Sequence, residues 1–305
     1  MRIGPTEILD THAEAFATWY ARLVITAIDD YWLEMAIRAL AGYGTSVIGC
    51  DAEVGVERLL PSGETPDGRP GAAVLLFAFS TEQLAAAVGN RVGQCVLTCP
   101  TTSCFNGVVD SEDTVPLGDC VRYFGDGFEK QGAGSGEQGV TSSLPACWQI
   151  PVMDGAFLVD AVAGVAPGIG GGNILLHASS QAAGLSAGCR AAEAIRPLPG
   201  VITSFPGGVC RSGSKVGSKY KNLVASTAET YCPTLRDQVD TQLVDGATCA
   251  YEIVIDGVSE ESVAYAMRAA IEDAAGPGVL AIGASNFGGR LGRHLIRLHD
   301  LFLKA

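Results

Sequence analysis

The apolar pattern of this chain switches repeatedly from a period of two to a period near 3.6 and back. Each switch marks the boundary between a strand and a helix. Tyr20 to Ala27 predicts a strand. Asp29-Asp30 caps a helix carrying Trp32, Met35, Ala36 and Leu40, which ends near Gly42 and Gly44. Thr45 to Cys50 predicts the returning strand. The unit recurs as an Ala72–Phe79 strand, a helix from Gln83 to Val92 capped by Thr81, and a Cys95–Thr98 strand.

The second half follows the same grammar. Phe157–Val165 and Asn173–His177 predict a strand pair joined by a glycine-rich turn. Ser179 or Ser180 opens an alanine-rich helix that runs to about Ile195, and Pro197 and Pro199 stop it. Val201–Ser204 returns as a strand. Tyr251–Ile255 is next, then a helix with Ser259 at the N-cap and Ser262 at N3, reaching about Ala275. Val279–Ile282 and His294–Leu298 complete the strands.

Several βαβ units of this size predict an α+β fold of two ferredoxin-like (split βαβ) lobes packed together. A chain of 305 residues has room for two such lobes. The most linker-like stretch is Gly132-Ala133-Gly134-Ser135-Gly136-Glu137-Gln138-Gly139. The expected lobes are therefore residues 1–145 and 146–305, the alternative being a long hairpin loop within one lobe.

Composition narrows the partners. The net charge of −13 argues against nucleic acid, whose phosphates need a basic face. No apolar run spans a bilayer; the longest, such as Ala72 to Phe79, are too short. The first residues, Met1 to Glu7, hold no apolar signal segment, so a cytoplasmic protein is expected. Ten cysteines invite a metal site, but no Cys-x₂-Cys pair occurs and the four histidines are scattered. Buried free thiols are the expectation, with no metal.

Against this acidic background the segment from Ser204 to Lys219 stands out. It is rich in glycine and serine and carries Arg211, Lys215 and Lys219. Glycines leave backbone N–H groups open to a ligand, so the loop suits a phosphate or carboxylate. A solvated surface loop is the alternative. The spacing is not that of a P-loop. Pro206, Gly207, Gly208, Ser212 and Lys215 are the candidate binding residues. A second turn, Glu64 to Gly71, holds Arg69, which could grip a substrate carboxylate with two parallel hydrogen bonds, or form an ordinary local ion pair.

Glu252 interrupts the apolar run Cys249 to Ile255. By alternation it shares a face with Val254, opposite Tyr251, Ile253 and Ile255. It is either a desolvated carboxyl held neutral or the wet side of an edge strand. Asn286 to Arg293 and Phe124 to Glu129 are further glycine-containing turns. Neither a Gly-x-Ser-x-Gly elbow nor a dinucleotide-binding glycine fingerprint is present.

Thr26-Ala27, Gly44 to Ile48, Glu64 to Gly71, Gly93 to Thr98, Phe124 to Gly127, Phe205 to Gly208, Ser212 to Ser218, Cys232 to Leu235, Tyr251-Glu252 and Leu298 to Phe302 together resemble the formylmethanofuran:tetrahydromethanopterin formyltransferase family. The likeness runs from about Thr11 to Phe302 in the family's motif order. It departs from the archaeal pattern between Gln131 and Cys147, where a glycine-rich stretch replaces a short charged hairpin.

The resemblance implies an enzyme without a tightly bound cofactor. Methanofuran and tetrahydromethanopterin are its co-substrates, and it forms a homo-dimer or homo-tetramer. The formyl group passes by direct attack in a ternary complex. Glu252 matches the family's active-site glutamate, implying a neutral acid that hydrogen-bonds the formyl oxygen. In methyl-oxidising bacteria the similar protein is a subunit of a formyltransferase/hydrolase complex, so hydrolase subunits are expected partners in that setting. A non-catalytic scaffold subunit and a formyltransferase acting on folate-like carriers are the alternatives.

Overall fold

Gly71–Ala78 is buried along its whole length, which only an internal strand covered on both faces allows. Around it the chain builds a four-stranded antiparallel sheet. The computed structural model describes residues 1–132, 147–289 and 291–303. The linker-like residues from Ala133 onward, and Arg290 of the last glycine-rich turn, lie outside them.

The chain divides into two compact units, one of residues 18–167 and one of residues 1–17 with 168–305. The expected single cut at 145/146 differs from this division. The first seventeen residues contribute a strand, Thr6–Ile8, that pairs in parallel with Val279–Gly283 near the end of the chain.

In the unit of residues 18–167 the order of elements is β1 (His12–Thr26), α1 (Asp30–Ala41), β2 (Glu53–Leu60), β3 (Gly71–Ala78), α2 (Thr81–Arg91) and β4 (Ser103–Asn106). Of β1, the residues from Thr18 belong to this unit. The antiparallel pairings give the strand order β4-β1-β3-β2. This is the split βαβ arrangement of a ferredoxin-like lobe. Asp29 caps α1 by accepting from the Trp32 N–H, and Leu33, Ala36, Ile37 and Leu40 form the helix's buried face. A buried side chain of that size stabilises by about 1.5–3 kcal/mol.

Three sequence expectations fail in this unit. Thr45 to Cys50 is a turn, and the returning strand is β2. Cys95 to Thr98 is no strand; Val92–Val96 extends α2 by a wider turn, and the strand is β4. Ser80, rather than Thr81, caps α2.

The other unit repeats the order with β5 (Val162–Ala178, from Gly168 onward), α3 (Gln181–Ile195), β6 (Val201–Ile202), β7 (Cys249–Gly257), α4 (Glu260–Ala274) and β8 (Val279–Gly283). Its strand order is β8-β5-β7-β6, again antiparallel and again ferredoxin-like. Of the two expected serines Ser180 caps α3, and Ser259 caps α4 with Ser262 at N3 as expected, the pair forming a reciprocal capping box. The glycines from Gly168 to Gly172 lie inside β5 instead of in a turn, with a register shift between Ile169 and Gly172. A β-carbon on Gly172 would stand 2.3 Å from a Val263 methyl, so glycine lets α4 close on the sheet.

The two helices cover one face of this sheet. Ile174, Leu176, Ile253 and Ile255 join a buried cluster with Val263, Met267 and Ile271 of α4 and Ala187 of α3. The opposite face carries Asn173, Leu175, His177, Ala250 and Glu252, paired as Leu175 with Glu252 and His177 with Ala250. The polar site lies on that face.

Candidate active site

Glu252 sits on an inner strand, not an edge. β7 pairs with β5 on one side, and on the other Glu252 forms a bridge with Cys210. The residue is only 8% exposed. Burial pushes its carboxyl above the usual carboxylate range, and a hydrogen bond from Ser285 partly opposes this. Ser285 Oγ donates to Glu252 Oε1 at 2.9 Å.

The bridge brings the glycine-rich loop to the acid. Ser212 and Gly213 line a small cavity with Glu252, Cys210, Arg211, Tyr231 and Cys232. Ser212 Oγ lies 3.3 Å from Cys210 Sγ, and the Ser212 carbonyl accepts from Thr227 Oγ1 and the Ala228 N–H. Gly213 has φ +54, and a β-carbon there would stand 2.8 Å from Ala228 Cβ. Only glycine suits that close, left-handed turn.

An adjoining cavity of about 300 Å³ shares Ala228 and Tyr231 with the first. Lys215, Ser214, Glu229, Ser285 and Phe287 also line it. Lys215 Nζ pairs with the Glu229 carboxylate, and this hydrogen bond holds that carboxyl below its usual range.

The other expected binding residues lie elsewhere. Pro206–Gly208 forms a tight turn that lines neither cavity. Gly208 (φ +78) closes on α3, where a β-carbon would stand 2.6 Å from Ala192 Cβ; around Gly207 the space is open. Arg69 belongs to the unit of residues 18–167. Its Nε donates to Asp67 Oδ2 at 2.8 Å, and its Nη2 to Thr26 Oγ1 at 2.9 Å and Ser103 Oγ at 2.7 Å. Its Nη1 donates to the carbonyl of Thr101, a β-branched residue at φ 67. Such a backbone is strained and must be held by its surroundings.

Four site residues were not expected from the sequence. Ser285 lies two residues past the end of β8, just before the glycine-rich turn Asn286 to Arg293. Asn173 is buried on β5 and bonds Ser285 on both sides. Burial pushes the Tyr231 phenol up, and the nearby Glu252 charge adds to this. His177 stacks edge-on against Tyr231 at 5.7 Å, and its buried Nδ1 has no hydrogen-bond partner among the described residues. Polar residues four apart on one face of an otherwise apolar strand, Asn173 and His177, are the signal the sequence offers.

The turn after Ser285 is itself anchored. Burial pushes the Glu14 carboxyl up, but backbone N–H groups of Leu291, Gly292, Phe287 and Gly289 outweigh it and hold the carboxyl below its usual range. Among the described residues no group of three His, Cys, Asp or Glu side chains could hold a metal ion.

A buried neutral acid beside an open cavity can donate to an oxygen that gains negative charge during reaction. Residues 1–152 match the family model described as formylmethanofuran-tetrahydromethanopterin formyltransferase, and residues 155–301 match its proximal lobe. The chain belongs to this formyltransferase family.

Among formyltransferases of this family, the relative from Methylococcus capsulatus is 47% identical over 305 residues, covering 99% of both chains. The relative from Rhodopirellula baltica is 44% identical, covering all of this chain and 94% of its own. The solved formyltransferase from Methanosarcina barkeri superposes with a TM-score of 0.91 at 42% identity, covering 99% of this chain and 100% of that one. A chain of the formyltransferase/hydrolase complex of Methylorubrum extorquens, solved with methylofuran, superposes with a TM-score of 0.92 at 41% identity. That match covers 99% of this chain and 98% of the other.

Proposed function

We propose that this chain transfers a formyl group between the amine of methanofuran and N5 of tetrahydromethanopterin. The observation that carries the reading is a buried, neutral-leaning Glu252 at the cavity of a chain whose relatives bear that enzyme name over nearly their whole length. One amine attacks the formyl carbon while both carriers are bound. The tetrahedral oxygen gains charge as the carbon–nitrogen bond forms, and the Glu252 hydroxyl donates to it. The attacking amine gives up a proton, the leaving nitrogen takes one up, and collapse of the intermediate breaks its bond to the formyl carbon and releases it as the free amine. Holding both amines in contact removes the entropic cost of their encounter.

In this reading Lys215 and Ser212 meet an anionic portion of a carrier, because they line the cavities next to Glu252. Pro206, Gly207 and Gly208 shape the loop that carries them. Arg69 keeps its candidacy for a carrier carboxylate through the turn it rigidifies. The chain works as a homo-dimer or homo-tetramer in the cytoplasm, with no resident cofactor; the described residues include no helix long and apolar enough to cross a membrane. The likeness to the Methylorubrum extorquens complex favours hydrolase subunits as further partners.

The test is an assay with purified formylmethanofuran and tetrahydromethanopterin, following the N5-formyl product. Intersecting double-reciprocal kinetics are expected. Parallel lines, or a formyl group trapped on the protein, would overturn direct transfer. Turnover with formyltetrahydrofolate alone would overturn the carrier assignment. A pull-down from native lysate that yields no hydrolase subunit would overturn that partnership.

A further inference from the structure

The two oxygens of Glu252 stand in different surroundings. Oε1 accepts the Ser285 hydroxyl at 2.9 Å. Among the described residues no donor reaches Oε2. A β-carbon built on Gly213 would stand 3.9 Å from Oε2, so this oxygen faces the Gly213 turn and the cavity it lines.

Ser285 is held in place from behind. Its N–H donates to Asn173 Oδ1 at 2.8 Å, and its carbonyl accepts from Asn173 Nδ2 at 3.0 Å. Asn173 is 6% exposed and lies on the sheet face that carries Glu252. The Ser285 hydroxyl also lies 3.4 Å from Asn173 Oδ1. It has one proton to give and two acceptors in reach, and the closer is Oε1.

We infer that Asn173 and Ser285 are positioning residues that keep Glu252 Oε1 as an acceptor, so that the acidic proton resides on Oε2, the oxygen facing the cavity. A carboxylic acid donates only from its protonated oxygen. A proton on Oε1 would point at Ser285 and turn the hydroxyl away toward Asn173, leaving Oε2 unable to donate. The pair thus decides which way the acid points. The inference rests on the reading of Glu252 as the catalytic acid.

Other titratable groups face this carboxyl from the surrounding elements. Arg211, Cys210, Tyr231 and Cys232 line its cavity, and the Lys215–Glu229 pair lines the adjoining one. His177 shares its sheet face and is buried in the neutral form. Among the described residues, Ser285 is the side chain in hydrogen-bond contact with it.

The experiment follows the Glu252 carboxyl directly, by ¹³C NMR of glutamate-labelled protein, with E252Q assigning the resonance. Removing a donor to the carboxylate raises its pKa, so in S285A the resonance titrates at higher pH than in wild type. The alkaline fall of kcat moves the same way. kcat drops roughly tenfold, as for one lost hydrogen bond, and KM for both carriers stays within about twofold. S285T restores both. N173A shifts the titration in the same direction, and S285A/N173A loses no more kcat than S285A, because the two act as a unit. If the alanine variant unfolds, S285C, isosteric with a weaker donor, reads the same shift. Unmoved Glu252 titration in these variants, with kcat lost in E252A, would overturn the positioning role alone. Near wild-type kcat in E252A would overturn the acid reading and the positioning role with it.

Discussion

Cys210 and Glu252 exchange a pair of backbone hydrogen bonds, 2.8 and 2.9 Å long. This short bridge stitches the glycine-rich loop to the strand that bears the acid. It places Ser212 and Gly213 beside the carboxyl although they are some forty residues away in sequence. The loop and the acid are thereby one site, and changes in either are expected to affect the other.

Glu252→Ala is expected to lower kcat by about 10²–10³-fold, the cost of one oxyanion donor. Glu252→Gln keeps a donor and retains part of the rate. Because burial raises the Glu252 pKa, the acid stays protonated past the usual carboxylate range and activity falls as pH rises through the raised value. E252Q should lose that alkaline fall, read from kcat against pH. A wild-type kcat in E252A would move the oxyanion role to backbone N–H groups.

Lys215→Ala is expected to raise KM for one carrier severalfold and leave kcat within about twofold. A charge on a carrier's tail acts equally in ground and transition states. The ion pair with Glu229 is partly exposed to solvent, so its loss should leave Tm nearly unchanged. A large drop in kcat at saturating carrier would place Lys215 in the chemistry.

Arg69→Ala is expected to cost about 2–3 kcal/mol of stability, measured by urea unfolding. It strips hydrogen bonds from Asp67, Thr26 and Ser103 and frees the strained Thr101 backbone. Unchanged stability with a raised KM would show that Arg69 serves a carrier and not its own turn.

His177 supplies a pH dependence of stability. Burial lowers its pKa from 6.5 to about 4, so the folded protein binds this proton more weakly than the unfolded chain. The stability is fully present above pH 6.5 and is lost as pH falls toward 4. Between roughly pH 7.5 and pH 4.5 the wild type should lose about 2–3 kcal/mol from this group. His177→Phe should lose less over the same interval in urea titrations. Equal losses would mean that the ring is hydrated in the folded state.

Where local physics decides, the sequence was enough. Ser259 and Ser262 cap α4 within one turn, and Ser180 caps α3. The alternation in Cys249 to Ile255 put Glu252 on the right face. Where distant residues decide, it was not. β2 carries Glu57 and Arg58 and did not read as a strand, yet Glu57 is buried because Arg22 of β1 meets it with two hydrogen bonds. Val47-Ile48 read as a strand but lies in a turn, held by the Val47 N–H to Glu53 and the Tyr43 hydroxyl to the Gly49 carbonyl.

The same limit applies to the site. The α+β repeat, the caps of α1, α3 and α4, the face of Glu252 and the family resemblance are legible in the residues alone. Whether Glu252 was wet or dry depended on Cys210 and Ser285, which approach from loops outside its strand. Burial and hydrogen bonding set a carboxyl's pKa, and both are sums over neighbours that the chain brings together only on folding. The tertiary structure alone joined Ser285 and Asn173 to the acid, and set Arg69 to hold its own turn.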